Sequence, residues 1–239
     1  MCRKAMILGL AMMLAVGFSA VSSAATTEDV LAKMTKQYGE MKTYEYDMKT
    51  EMKGPQEGVV MLGHLCAQSV QKNGKPAMSL MNMKQSMTMG EMKHDMLMVH
   101  DGEFMWMEMK DPMSGMVIVR KMKPNPSQAR NDPSQFKDQY DLKYVGEEDF
   151  DGQKMWVLEG TPKPGVDLVP KGMGPAAQEP GKIRMSVGQA DGFVHRWILY
   201  AKDGSVMGET QLTNIKLNGK LDPALFKYTP PAGARVMEM

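Results

Sequence analysis

Fourteen of the 45 residues from Met78 to Met122 are methionine, and most of them alternate with other residues. Met81 and Met83 form one pair and Met87 and Met89 another. Met92, His94, Met96, Met98 and His100 keep one parity, and Met105, Met107 and Met109 follow. A period of two is the period of a β-strand, in which side chains two apart share a face. The run therefore predicts sheet faces lined with thioethers. Such a face can hold a soft metal, hold a greasy ligand, or serve as core.

The rest of the chain frames that run with more strands. Thr26 and Asp29 have capping-box spacing, and Leu31, Met34, Tyr38 and Met41 recur at steps of three and four, which predicts a helix ending at 39–42. From Thr43 the period changes to two. Tyr44, Tyr46, Met48 and Met52 lie on one side, with Glu45, Asp47, Lys49, Glu51 and Lys53 on the other. That is a strand with one buried and one wet face. Gly54-Pro55 marks a turn, and strands are expected at 58–66, 77–89, 94–100, 103–110 and 116–122. Asn73-Gly74 and Asp101-Gly102 are hairpin signals.

Asp132-Pro133-Ser134 reads as an N-cap followed by proline at the first helical position, giving a short helix to Tyr140. Strands resume at 142–147 and 153–160, and a proline- and glycine-rich loop fills 161–182. Strands at 182–188, 192–200 and 205–216 follow, with turns at Asp151-Gly152, Asp191-Gly192 and Asp203-Gly204. Asp222-Pro223-Ala224-Leu225-Phe226 reads as a helical turn, and a short edge strand is expected after Pro230-Pro231. The count is roughly ten strands. The expected class is α+β, a curved antiparallel sheet with helices on one side.

The first 25 residues read as a signal peptide. Arg3 and Lys4 supply a positive start, Ile7 to Val21 an apolar run, and Ser22-Ser23-Ala24-Ala25 a cleavage site. Cys2 has no lipoprotein-anchor context. The expected mature chain is 26–239, a single domain with a monomeric habit. Its 27 basic and 28 acidic residues leave it near neutrality, so no basic patch argues for nucleic acid. Cys66 is then the only cysteine, which excludes an internal disulfide. Its neighbours Leu62 and Leu65 suggest a buried small apolar residue rather than a reactive thiol.

No catalytic constellation is present: no G-x-S-x-G elbow, H-E-x-x-H, P-loop or C-x-x-C. Asp101, Glu103 and Glu108 are expected to face water beside a hairpin turn rather than act as acid and base. The expectation is a non-enzyme without a cofactor. Clustered Met92, His94, Met96, Met98 and His100 make a copper site the alternative, because thioether and imidazole are ligands for Cu(I). Against it, the chain from residue 26 holds 25 methionines and 13 leucines. Met34, Met41, Met155, Met185 and Met207 lie far from the cluster, in ordinary core patterns. Methionine has largely taken over leucine's role, and its flexible, polarizable side chain suits a cavity that accepts acyl chains.

The segment Met96-Leu97-Met98-Val99-His100-Asp101-Gly102-Glu103-Phe104-Met105-Trp106-Met107 resembles a hallmark of the periplasmic lipoprotein carriers of the LolA type. There a strand leads into an Asp-Gly turn and the next strand carries a tryptophan, here Trp106. The N-terminal helix through Tyr38 and Met41 into the Thr43 strand is similar too. So is the ending, from Leu212-Thr213-Asn214 through Leu225-Phe226 to Tyr228-Thr229-Pro230-Pro231-Ala232-Gly233. The resemblance implies an unclosed β-barrel with a helical lid at 124–140 over an apolar cavity. It implies a periplasmic carrier of lipidated protein or lipid, with an inner-membrane donor and an outer-membrane acceptor. A sensory or scaffold domain binding an envelope protein is the other implied class. The chain departs from the pattern in one respect: it has no arginine between Arg3 and Arg120, so a lid-holding arginine ahead of the Asp-Gly turn is missing. The acyl cavity is assigned to Tyr44, Tyr46, Met48 and Met52; to Met81, Met83, Met87 and Met89; and to Met105, Trp106, Met107 and Met109. Trp106 lies on the opposite parity from its methionine neighbours.

Overall fold

The computed structural model describes residues 25–53, 58–72, 75–76, 79–111, 113–124, 133–166 and 179–238. The leader, the turns at Gly54-Pro55 and Asn73-Gly74, and the Asp132 cap lie outside the described residues.

Helix α1 (Thr27–Glu40) starts where the capping box sets it. The Asp29 N–H donates to Thr26 Oγ1 at 3.1 Å, and the Thr26 N–H donates back to Asp29 Oδ2 at 2.9 Å. Each bond satisfies a donor that a helix start leaves without a partner. Strands β1 (Thr43–Met52) and β2 (Val59–Gln68) follow, then the two-residue pair β3 (Gln71–Lys72) and β4 (Lys75–Pro76). The methionine run forms β5 (Leu80–Met89), β6 (Met92–His100), β7 (Met105–Lys110) and β8 (Val117–Met122). Helix α2 (Pro133–Gln139) leads directly into β9 (Tyr140–Phe150). Then come β10 (Gln153–Pro162), β11 (Lys182–Gly188), β12 (Val194–Tyr200) and β13 (Val206–Leu217). A 3-10 turn at Pro223–Phe226 and β14 (Arg235–Glu238) end the chain.

Twelve strands form one curved sheet in the order β14-β8-β7-β6-β5-β2-β1-β13-β12-β11-β10-β9. Neighbours are antiparallel except β14, which lies parallel on β8. The end strands β14 and β9 do not pair, so the sheet is unclosed, as expected. Strand β9 runs past the expected 142–147 to Phe150, up to the Asp151-Gly152 turn. In the fold Glu148 stays in the strand and accepts from Ser186 Oγ and from Arg184 at 3.1 Å, and its carboxyl is held low: those contacts outweigh burial, which pulls the other way.

The core divides in two on one face of the sheet. Val30, Leu31 and Met34 of α1 pack with Tyr140, Leu158, Ile183, Met185, Val187 and Val194. Phe136 of α2 adds to this cluster from its margin. The second cluster joins Met41, Tyr44, Leu65, Ala67, Phe193 and Leu212, with Tyr38 stacked on Phe193 at 5.2 Å between centroids. The helices thus cover the β9–β12 half and the near ends of β13, β1 and β2. The opposite face of β5–β8 is capped by the C-terminal segment. There Asn82 Nδ2 donates to the Leu225 carbonyl at 2.7 Å, and the Tyr228 hydroxyl donates to Glu108 at 2.6 Å. Val99, Val119 and Phe226 are buried.

Candidate functional site: a thioether-lined trough

Directly paired residues of neighbouring strands share a face, so the register decides which side chains meet. One row runs Tyr44, Ala67, Met81, His100, Met105, Met122. The next runs Tyr46, Leu65, Met83, Met98, Met107, Arg120. A third runs Met48, Gly63, Gln85, Met96, Met109, Ile118, and a fourth places Met61 beside Met87 and Met87 beside His94. Met89 pairs with Met92 at the far end, and Met52 shares the face of Met48 on β1. The face is the one α1 packs on, since Met48, Met81 and Met83 border the second cluster.

Away from the helix the trough is open. Met83, Met87, Met96, Met98, Met105, Met107 and Met109 are only half-buried, and Met89 and Met92 are 45% and 51% exposed. A cavity of about 350 Å³ lies here, lined by Met61, Gln85, Met87, His94, Met96, Met109 and Ile118, and also by Asp95, Lys110 and Asp111. That volume and a mainly apolar surface suit a small-molecule pocket. Met61, Gln85 and Ile118 are not among the cavity residues assigned from sequence. The signal that finds them is cross-strand pairing, which no single strand's alternation contains.

A larger cavity of about 750 Å³ lies on the other face. Asp47, Lys49, His64, Lys84, Asp95, Glu108 and Lys110 line it. Seven ionisable side chains make it a poor place for an acyl chain despite its size.

His64 on that face joins a hydrogen-bonded chain. Its Nδ1 lies 2.7 Å from Asp47 Oδ1 and its Nε2 3.3 Å from Cys66 Sγ, while Asn214 Nδ2 donates to Asp47 Oδ2 at 2.6 Å. The Asn214 amide and then His64 hold the Asp47 carboxyl below the usual range. The sequence of groups has the order of a thiol triad, but Cys66 is 4% exposed and burial pushes its thiol up. A buried thiol held in its neutral form is inert. The chain serves as a cross-strand bond between β1, β2 and the β13 irregularity at Asn214.

The copper set occupies the trough face, yet His94 and His100 stand six residues apart on one strand. At about 3.3 Å per residue they are roughly 20 Å apart, so one ion cannot touch both. Among the described residues no three His, Cys, Asp or Glu side chains are grouped to hold a metal. His100 is 1% exposed; its Nδ1 lies 2.6 Å from the Ser79 carbonyl, and its Nε2 has no hydrogen-bond partner.

Trp106 does not join the acyl face. Its register partners are Val99 and Lys121, so it lies with the C-terminal cap, 5.4 Å from the Tyr228 ring. Its Nε1–H donates to Asp101 Oδ2 at 2.6 Å. Asp101 and Glu108 likewise have partners in the protein in place of the expected water: Asp101 holds the turn and Trp106, and Glu108 accepts from Tyr228. Of the lid expected at 124–140, residues 125–132 lie outside the described residues. Helix α2 packs against α1 and β9, over the core half of the face.

No protein-family model matches this sequence, and no curated protein matches it. Solved structures do resemble the fold. An uncharacterized conserved protein from Thermus thermophilus aligns at a TM-score of 0.51 and 12% identity, over 89% of this chain and 98% of that one. A crystal structure of MucB aligns at 0.50 and 16% identity over 87% of this chain. The chain spans 64% of MucB's length. A LolA superfamily protein from Nitrosomonas europaea aligns at 0.32 and 15% identity, over 86% of this chain and 99% of that one. At such identities the likeness is one of architecture.

Proposed function

We propose that this chain, which has a LolA-like fold, is a periplasmic carrier that shields acyl chains of lipoproteins or lipids in transit towards the outer membrane. The observation that carries the reading is the trough: four strands present half-buried methionines to one face, with a cavity of about 350 Å³ at the end away from α1. Unbranched, polarizable side chains conform to flexible tails. Each buried methylene contributes about 0.8 kcal/mol. Ten of them give roughly 8 kcal/mol, the micromolar scale before ordering costs. An inner-membrane donor would load the trough and an outer-membrane acceptor empty it, with no chemical step by the carrier.

Native mass spectrometry of protein purified gently from the periplasm tests this. Acyl-chain masses should accompany the wild type and be lost from a Met87→Lys, Met109→Lys double variant, which puts two ammonium groups in the cavity. A wild type that arrives empty and takes up no fatty-acyl probe refutes the carrier.

One observation favours a second reading, Cu(I) binding. The buried, partnerless Nε2 of His100 lies between Met81 and Met105 in register. The same spectra decide it: one copper per chain, lost in Met81→Leu with Met105→Leu, would support the metal.

A further inference from the structure

The charge pattern of the trough narrows the ligand class, on the premise that the carrier reading holds. From β1 to β8 the trough face holds tyrosines, aliphatics, Thr50, Gln85, methionines, His94 and His100. Acidic residues and lysines of β1, β2 and β5–β8 fall on the other face by register, although Asp95 and Lys110 also border the methionine cavity. Arg120 of β8 is the exception. It sits directly opposite Met107, and Met98 and Met83 continue its row.

Arg120 is half-buried and makes no ion pair or hydrogen bond among the described residues. Of the three other arginines described on the sheet, two are matched, and the third, Arg235 of β14, is exposed beside Ile118. Arg184 meets Glu148 at 3.1 Å and Glu159 at 3.4 Å, and Arg196 meets Glu209 at 2.7 Å. A guanidinium stays charged at any physiological pH, and an unpaired charge against apolar surface is unfavourable. Its planar fork fits a carboxylate or phosphate in two parallel hydrogen bonds.

The position fits an amphiphile. Ile118, two residues before Arg120 and about 6.6 Å away on the same face, lines the methionine cavity together with Met109 and Met96. We infer that the trough selects acyl ligands with an anionic head, carboxylate or phosphate. Arg120 pairs with the head while the tail crosses Met107 and Met109 into the cavity.

The test compares ligands with one tail and different heads on delipidated full-length protein, below their micelle concentrations. Oleate and oleoyl lysophosphatidate should bind at least tenfold more tightly than methyl oleate and mono-oleoylglycerol. The tighter of the two anions identifies the head as carboxylate or phosphate. Arg120→Gln should abolish the preference, and Arg120→Lys should keep part of it. Equal binding of charged and neutral heads by the wild type overturns the inference and leaves the carrier standing. So does a preference that survives Arg120→Gln. If no oleoyl ligand binds at all, the carrier reading falls and this inference with it.

Discussion

Asp101 sits at the turn between β6 and β7 and holds both its own loop and the neighbouring strand. Oδ1 accepts from the N–H groups of Glu103 and Phe104 at 2.9 and 2.8 Å, and Oδ2 from the Trp106 indole. Burial pulls its pKa upward, but the Phe104, Trp106 and Glu103 donors outweigh it, and the value falls below 3.8. A carboxylate lowered on folding stabilises above its unfolded value and loses that contribution as pH falls through the folded one. Asp101→Asn keeps one acceptor oxygen and turns an amide group towards the indole or the turn. It should cost about 1–3 kcal/mol at neutral pH. Its stability should also fall less steeply than wild type on acidification below 3.8, as read from urea midpoints across pH. Parallel pH profiles would refute the role. The turn itself is legible from Asp101-Gly102, where Gly102 takes a φ of 102° that suits glycine. The bond to Trp106 is not, because it depends on a side chain reaching along the next strand.

At the scale of elements, the C-terminal segment does what no local pattern announces. Pro223–Phe226 reads as a turn from sequence, with Asp222 accepting from Ala224 N–H. Nothing in those residues says which face they cover. Packed by Asn82 and Leu225, they give β5–β8 a second buried side. Phe226 is 3% exposed, so Phe226→Ala should cost about 3–5 kcal/mol. It should also shift Trp106 emission to the red as water reaches the ring. Denaturation followed by fluorescence checks both, and an unchanged midpoint would place the segment outside the cooperative unit. The helix α1 and strands β1, β5 and β7 are readable because their tyrosines, methionines and leucines recur with one period. Strand β9 reads too short because its carboxylates find cationic and hydroxyl partners only across strands.

Across the whole molecule, the sheet is packed on one half and open on the other. Met155, Leu158, Met185 and Val187 are fully buried under α1, while the β5–β7 methionines stay half-exposed. Backbone amides of β10 and β11 should exchange slowest and those of β7 and β8 faster. Saturating acyl ligand should slow β6–β8 selectively, and uniform protection by hydrogen-exchange mass spectrometry would argue against a localised site. The parity of the trough can be read strand by strand, since every methionine pair alternates. The asymmetry cannot, because Met34 and Met87 are the same residue type and only their neighbours differ.

Thioethers are also targets. Oxidation turns methionine into a polar sulfoxide, and exposure sets the order in which that happens. Met89, Met92 and Met116 are 45%, 51% and 47% exposed, whereas Met34, Met155 and Met185 are 0% exposed. An oxidant therefore reaches the open half first and makes its surface polar while the core that maintains the fold remains reduced. The protein would lose its affinity for tails before losing its structure, and a sulfoxide reductase could restore it without refolding.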